Sequence, residues 1–258
     1  MATPTENAAA SAATTTFRGD LDRDASAFVT DVDLLQTAVD RGSVTQARSY
    51  ELAGQADYDQ FRALESGNGT TAATLDELAT DVGADQSFGG LHAVERDLWS
   101  PGGTTVEAAS DISGLVAQAP VAEYLLAKEV LSPEAIGTTG VDELGWVVDM
   151  SIPGREELYS HLDDVDTTAT VAAADEAFVA IKPLGHLVAP AVTAGVGASF
   201  ARLLTAVHRI GPPGQVVDGD VSAATRLALS QQVDATAAGL AQLAARLTPF
   251  GTSGPPSS

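Results

Sequence analysis

The stretch Leu21-Asp22-Arg23-Asp24-Ala25-Ser26-Ala27-Phe28-Val29-Thr30-Asp31-Val32-Asp33-Leu34-Leu35-Gln36-Thr37-Ala38-Val39 carries the fold in its spacing. Leu21, Ala25, Phe28, Val32, Leu35 and Val39 recur at alternating fours and threes, the period of one face of an α-helix. The same rhythm returns near the other end of the chain, where Leu229, Val233, Ala237, Leu240, Ala244 and Leu247 share a face. No convincing set of alternating strands lies between them. The reading is an all-α, bilobed helical protein made of two four-helix-bundle-like halves.

Outward from that first helix, Arg41-Gly42 ends it, and Ser43 with Gln46 fits a capping box opening a second helix to about Leu64. Ser66-Gly67-Asn68-Gly69 reads as a loop, Leu75–Leu78 as a short helix containing Asp76 and Glu77, and Asp81–Gly90 as a further loop. A helix follows those glycines and stops at Ser100-Pro101-Gly102-Gly103. Thr105 to Leu131 reads as a long helix, and Ser132-Pro133-Glu134 as the start of another, with Ser as N-cap and Pro at the first helical position. Apolar Leu144 to Met150 can be read as a strand but is assigned to helix by its neighbours, and Ile152-Pro153-Gly154-Arg155 to a break. Helices are expected over 167–182 and 194–209, with Gly211-Pro212-Pro213-Gly214 as a loop. Ordered structure is expected over residues 17–250, between a disordered leader at 1–16 and a disordered Gly/Pro/Ser tail at 251–258.

The chain has 258 residues, enough to bury a sizeable core. Thirteen basic residues against 35 acidic ones give a formal charge of −22, which repels phosphate backbones and argues against nucleic acid as a partner. Without cysteine there is no disulfide, thiolate metal site or catalytic thiol. No run of 18 apolar residues occurs, so no membrane span is expected. Residues 1–16 lack the basic start and apolar core of a signal peptide, and resemble the leader of an exported protein whose signal or lipid-anchor cysteine has been replaced by Met1.

The chemistry concentrates in Gly89-Gly90-Leu91-His92-Ala93-Val94-Glu95-Arg96-Asp97-Leu98-Trp99. On a helix, His92 and Glu95 stand at i and i+3, on one face and about 5–6 Å apart at Cβ. An imidazole and a carboxylate so placed can share one metal ion. Trp99 reads as packing beside them. The acidic run Asp163-Asp164-Val165-Asp166 lacks the Gly and the terminal Glu of a calcium loop and reads as a solvated turn. His186 and His208 read as structural or surface residues.

Gly90-Leu91-His92-Ala93-Val94-Glu95-Arg96-Asp97-Leu98-Trp99 resembles the signature of the imelysin-like family, which includes the EfeO/EfeM iron-uptake proteins. Ala47-Arg48-Ser49-Tyr50-Glu51 is similar to that family's Ala-Arg-x-x-Tyr-Glu helix, and Asp76 stands 16 residues before His92, where relatives carry an Asp. Ile152-Pro153-Gly154-Arg155-Glu156-Glu157-Leu158-Tyr159-Ser160-His161 resembles its Ile-x-Gly-x-Glu-Glu-x-Tyr-Ser-His segment. The resemblance spans about Phe17 to Leu247 and fits the short form without a cupredoxin domain. It departs at Trp146, where relatives often carry an acid.

The resemblance implies a periplasmic or otherwise extracytoplasmic metal-binding component of an Efe-type iron-uptake system. Such a protein delivers iron to a membrane permease, with a Dyp-type haem peroxidase as a further partner and lipid anchoring as an option. It implies Glu51, Asp76, His92, Glu95 and Glu156 as metal ligands, with Glu157 and His161 as residues that hold a ligand in place or as alternate ligands. One imidazole with several carboxylates suits Fe2+ or Fe3+, and also zinc, manganese or copper. Two other functions compete: an imelysin-like metallopeptidase, against which the absence of a His-Glu-x-x-His motif counts, and a non-catalytic helical binding or adhesion module.

Overall fold

A computed structural model describes residues 2–65, 70–79 and 89–250. The expected loop at Ser66–Gly69, most of that at Asp81–Gly90, and the tail at 251–258 lie outside the described residues. The fold is all-α, and no strand occurs among the described residues.

The first helix, α1 (Pro4–Asp40), starts well before Phe17 and takes up most of the stretch assigned to a disordered leader. Thr3 explains the early start. Its hydroxyl accepts from the Glu6 N–H at 3.2 Å and its own N–H donates to the Glu6 carboxylate at 2.6 Å, a capping box ahead of Pro4 at the first helical position and an alanine-rich turn. Ala13 and Phe17 are buried below it. The helix ends at Gly42 (φ +70°), with Ser43 N–H donating to the Ala38 carbonyl and Gly42 N–H to that of Val39, the two bonds of a Schellman stop. Ser43 is consumed in that stop, and its side chain forms no capping bond, contrary to the expected box with Gln46.

The remaining helices are α2 (Val44–Asp59), α3 (Arg62–Glu65), α4 (Thr70–Leu75), α5 (Leu91–Trp99), α6 (Thr105–Leu126), α7 (Pro133–Trp146), α8 (Asp164–Val188), α9 (Pro190–Ile210) and α10 (Ala223–Leu247). Besides α8 and α9, which extend past the expected 167–182 and 194–209, three ends differ from the sequence reading. The second helix breaks after Asp59, with α3 following as a separate turn; α4 stops at Leu75, leaving Asp76 and Glu77 beyond it; and α6 stops at Leu126. The Arg18 guanidinium, from α1, donates to the Leu126 and Glu129 carbonyls and so caps α6 where it ends. Ser132 caps α7 as expected, its hydroxyl accepting from the Ala135 N–H at 3.1 Å. Past Trp146 the helix continues as one π-turn, Val147–Ser151.

In packing, α1 lies against α2, α6 and α8, and α5 against α2 and α6. Further along, α7 lies against α8 and α10, and α9 against the same two helices. One hydrophobic core runs through both groups. Phe28, Tyr58 and Phe61 form a cluster with ring centroids 5.3 to 5.7 Å apart, joining α1 to the end of α2. Each such fully buried ring contributes about 1.5–3 kcal/mol. By length and composition α9 is apolar enough to cross a membrane, unlike the expectation for this chain. Its Val196, Phe200, Leu203 and Val207 are nevertheless buried within the protein.

Candidate metal centre

Four segments converge on His92. The helix α5 carries His92 and Glu95, α2 carries Glu51, the residue after α4 is Asp76, and the break after the π-turn carries Glu157. Gly90 brings α4 and α5 this close. Its φ is +83°, and a Cβ there would stand 2.5 Å from the Leu75 carbonyl oxygen. The chain can pass Leu75 at that point only as glycine. His92 thereby reaches Asp76, with Nε2 3.0 Å from Oδ1.

Each acidic residue in this pocket has one oxygen held. Glu95 Oε1 accepts from the Tyr159 and Ser160 N–H groups, both at 2.7 Å. Glu51 Oε2 accepts from Trp99 Nε1 at 2.9 Å, and Glu157 Oε2 accepts from the Ser160 hydroxyl. An Nε2–H given to Asp76 leaves Nδ1 as the lone-pair nitrogen of a neutral His92 ring. The other atoms are Glu51 Oε1, His92 Nδ1, Glu95 Oε2 and Glu157 Oε1. All four are buried and lack a hydrogen-bond partner among the described residues. Nδ1 lies 3.5 Å from Glu95 Oε2 and 3.9 Å from Glu157 Oε1, and one ligand atom from each of these three residues lies within 4.8 Å of the others. Unpartnered buried polar atoms are costly, and three gathered within 4.8 Å, with a fourth on the neighbouring Glu51, are the arrangement a cation relieves.

The electrostatics agree. Burial, then the neighbouring Glu95, pushes the Glu51 carboxyl up to about 8. Burial, then Glu95 and Glu51, lifts Glu157 well above the carboxylate range. For His92, burial alone would favour the neutral ring, but the hydrogen bond to Asp76 and the charge of the Glu95 carboxylate 3.5 Å from Nδ1 outweigh it and raise the imidazole well above its ordinary value. Protons held against such repulsion are the ones a bound cation would displace.

The expected ligands therefore divide. His92, Glu95 and Glu157 bring one ligand atom each together, and Glu51, buried with an unpartnered Oε1, is close enough to feel the charges of Glu95 and His92. Asp76 stands behind the ring, where it orients the imidazole. Glu156 turns the other way: Trp146 Nε1 donates to its Oε1 at 2.6 Å and Ser151 Oγ to its Oε2 at 2.8 Å. The π-turn makes this possible, since hydrogen bonds running i to i+5, here Ile152 N–H to the Val147 carbonyl at 2.9 Å, set residues five apart on one side. His161 is exposed at a positive φ of 59°.

Sequence reading missed a second buried polar layer beside this pocket. Arg62 is paired with Glu143 at 2.8 Å and Asp59 at 3.6 Å, and lies 3.9 Å over the Trp146 ring. The Asp163–Asp166 run is not a solvated turn: Asp163 and Asp166 are 1% and 0% exposed, and Asp163 Oδ1 accepts from the Glu156 and Glu157 N–H groups. The available signal was Gln55, Asp59 and Arg62 at spacings of four and three, a polar stripe on the inner face of a helical segment.

Compared with protein-family models and with curated protein sequences, the chain matches none.

Proposed function

We propose that this chain is a metal-binding protein that takes iron, or another divalent cation, into the pocket of His92, Glu95, Glu157 and Glu51. In this reading it works outside the cytoplasm, handing iron to a membrane permease, and its two groups of helices are the lobes of a bilobed uptake protein. One observation carries the reading. Four buried ligand atoms on three segments lack partners while the opposite atom of each group is anchored. One nitrogen and three carboxylates suit iron, manganese or zinc, and with no cysteine in the chain no thiolate favours a softer metal. Binding is favoured over peptide cleavage because His92 is the one imidazole at the site. His161, His186 and His208 are exposed, whereas a zinc peptidase needs three ligands and an open water position.

The test is calorimetric titration of the metal-stripped chain with anaerobic Fe2+, Fe3+-citrate, Zn2+, Mn2+ and Cu2+, alongside His92→Ala/Glu95→Ala. Saturable iron binding that vanishes in the double variant is the expected result. Tight zinc binding without iron preference, joined to casein cleavage, would instead support the peptidase. No heat with any metal would leave a helical interaction module.

A further inference from the structure

The buried polar layer holds a second group of carboxylates. Arg62 accounts for Glu143 and Asp59, and His92 belongs to the pocket already described. Beyond these, Glu156, Asp163 and Asp166 are all buried, with one oxygen of each within 4.8 Å of the others. Asp166 is fully buried, and neither of its oxygens meets a hydrogen-bond donor or a basic side chain among the described residues. The charges acting on it most strongly are those of Glu157, Glu156, Asp59 and Asp163, all negative. One turn further along α8, the buried Thr170 hydroxyl also lacks a partner among the described residues, and spacing of i to i+4 sets it on the Asp166 face.

We propose that Glu156, Asp163 and Asp166 form a second cation site, separate from the His92 pocket, for a hard oxygen-seeking divalent ion of the Ca2+ or Mn2+ class. The donor set is oxygen only, without imidazole, and so differs in kind from the first pocket. The site is preassembled. Glu156 is fixed by Trp146 and Ser151, and Asp163 by the backbone N–H groups of Glu156 and Glu157. Asp166 and Thr170 are carried by one rigid helix. Because Glu156 and Glu157 are adjacent in the chain and belong to different sites, the break after the π-turn connects the two ions mechanically.

The test counts Mn2+ bound to the full metal-stripped chain, reading free Mn2+ by electron paramagnetic resonance, with circular dichroism to verify the fold of each variant. His92→Ala/Glu51→Gln disables the first pocket and is expected to keep one Mn2+ that Ca2+ displaces. Asp166→Asn in that background is expected to abolish it, and Thr170→Val, which removes one hydroxyl, to weaken it by about tenfold. Zero Mn2+ in His92→Ala/Glu51→Gln overturns the proposal, as does full retention in folded Asp166→Asn. If Asp166→Asn does not fold, unchanged Mn2+ affinity in Thr170→Val overturns the placement.

Discussion

At Glu51, burial and the neighbouring Glu95 raise the carboxyl from an ordinary 4.5 to about 8. Between those values the folded, metal-free chain keeps a proton that the unfolded chain has lost, so its stability falls as pH rises through that window. Glu51→Gln is expected to flatten the loss, read as Tm in chelator from pH 5 to 8.5; superimposable profiles would contradict it. Metal uptake displaces the same proton, so affinity should climb with pH across that range. Asp76 acts one bond further out. Asp76→Ala is expected to weaken iron binding by about 10–100-fold in calorimetry, while unchanged affinity would remove it from the site. The pairing of His92 with Glu95 was legible because helical spacing fixes which side chains share a face. The choice between Glu156 and Glu157 was not, because they lie in a break where no period says which of two adjacent carboxylates turns inward. Nor could spacing say that Asp76 meets Nε2 and leaves Nδ1 for the pocket.

Helix existence followed from periodicity, whereas several helix ends were set by contacts between distant residues. The end of α6 at Leu126 depends on Arg18, more than a hundred residues earlier. The end of α4 at Leu75 lies where Gly90 crosses it. Gly90→Ala tests that crossing. Forcing a Cβ into a positive-φ position costs about 1–3 kcal/mol of backbone strain, and the contact with the Leu75 carbonyl adds to it. The variant should melt earlier by circular dichroism and bind iron more weakly, since His92 and Asp76 no longer meet. A Tm equal to that of the parent chain would show that the crossing is relaxed. The π-turn is the element that periodicity missed altogether: an apolar run such as Leu144–Met150 reads as helix with either hydrogen-bond pattern, and the difference lies in which side of Glu156 receives Trp146 and Ser151.

Across the whole molecule, the pocket joins α2, α5 and the break before α8, so a bound ion ties together segments distant in sequence. An ion at 100 times its Kd stabilises the folded state by about 2.7 kcal/mol, roughly 5–10 °C in Tm for a chain of this size. Thermal melts over an iron series should show that rise, and its absence at saturation would mean binding outside the fold. The all-α architecture was open to sequence reading because helical stripes repeat along the chain. The buried acidic layer was hidden, because a charge of −22 makes any single carboxylate look like surface. The most direct measurement is an anaerobic Fe2+ titration by calorimetry on the parent chain and on Glu157→Gln. One tight equivalent in the parent, weakened by more than the about 100-fold expected for an outer partner in a variant that keeps its helical circular dichroism, is the predicted result. Equal iron affinity in the two chains would contradict the assignment of Glu157 to the pocket, and with it the site as described.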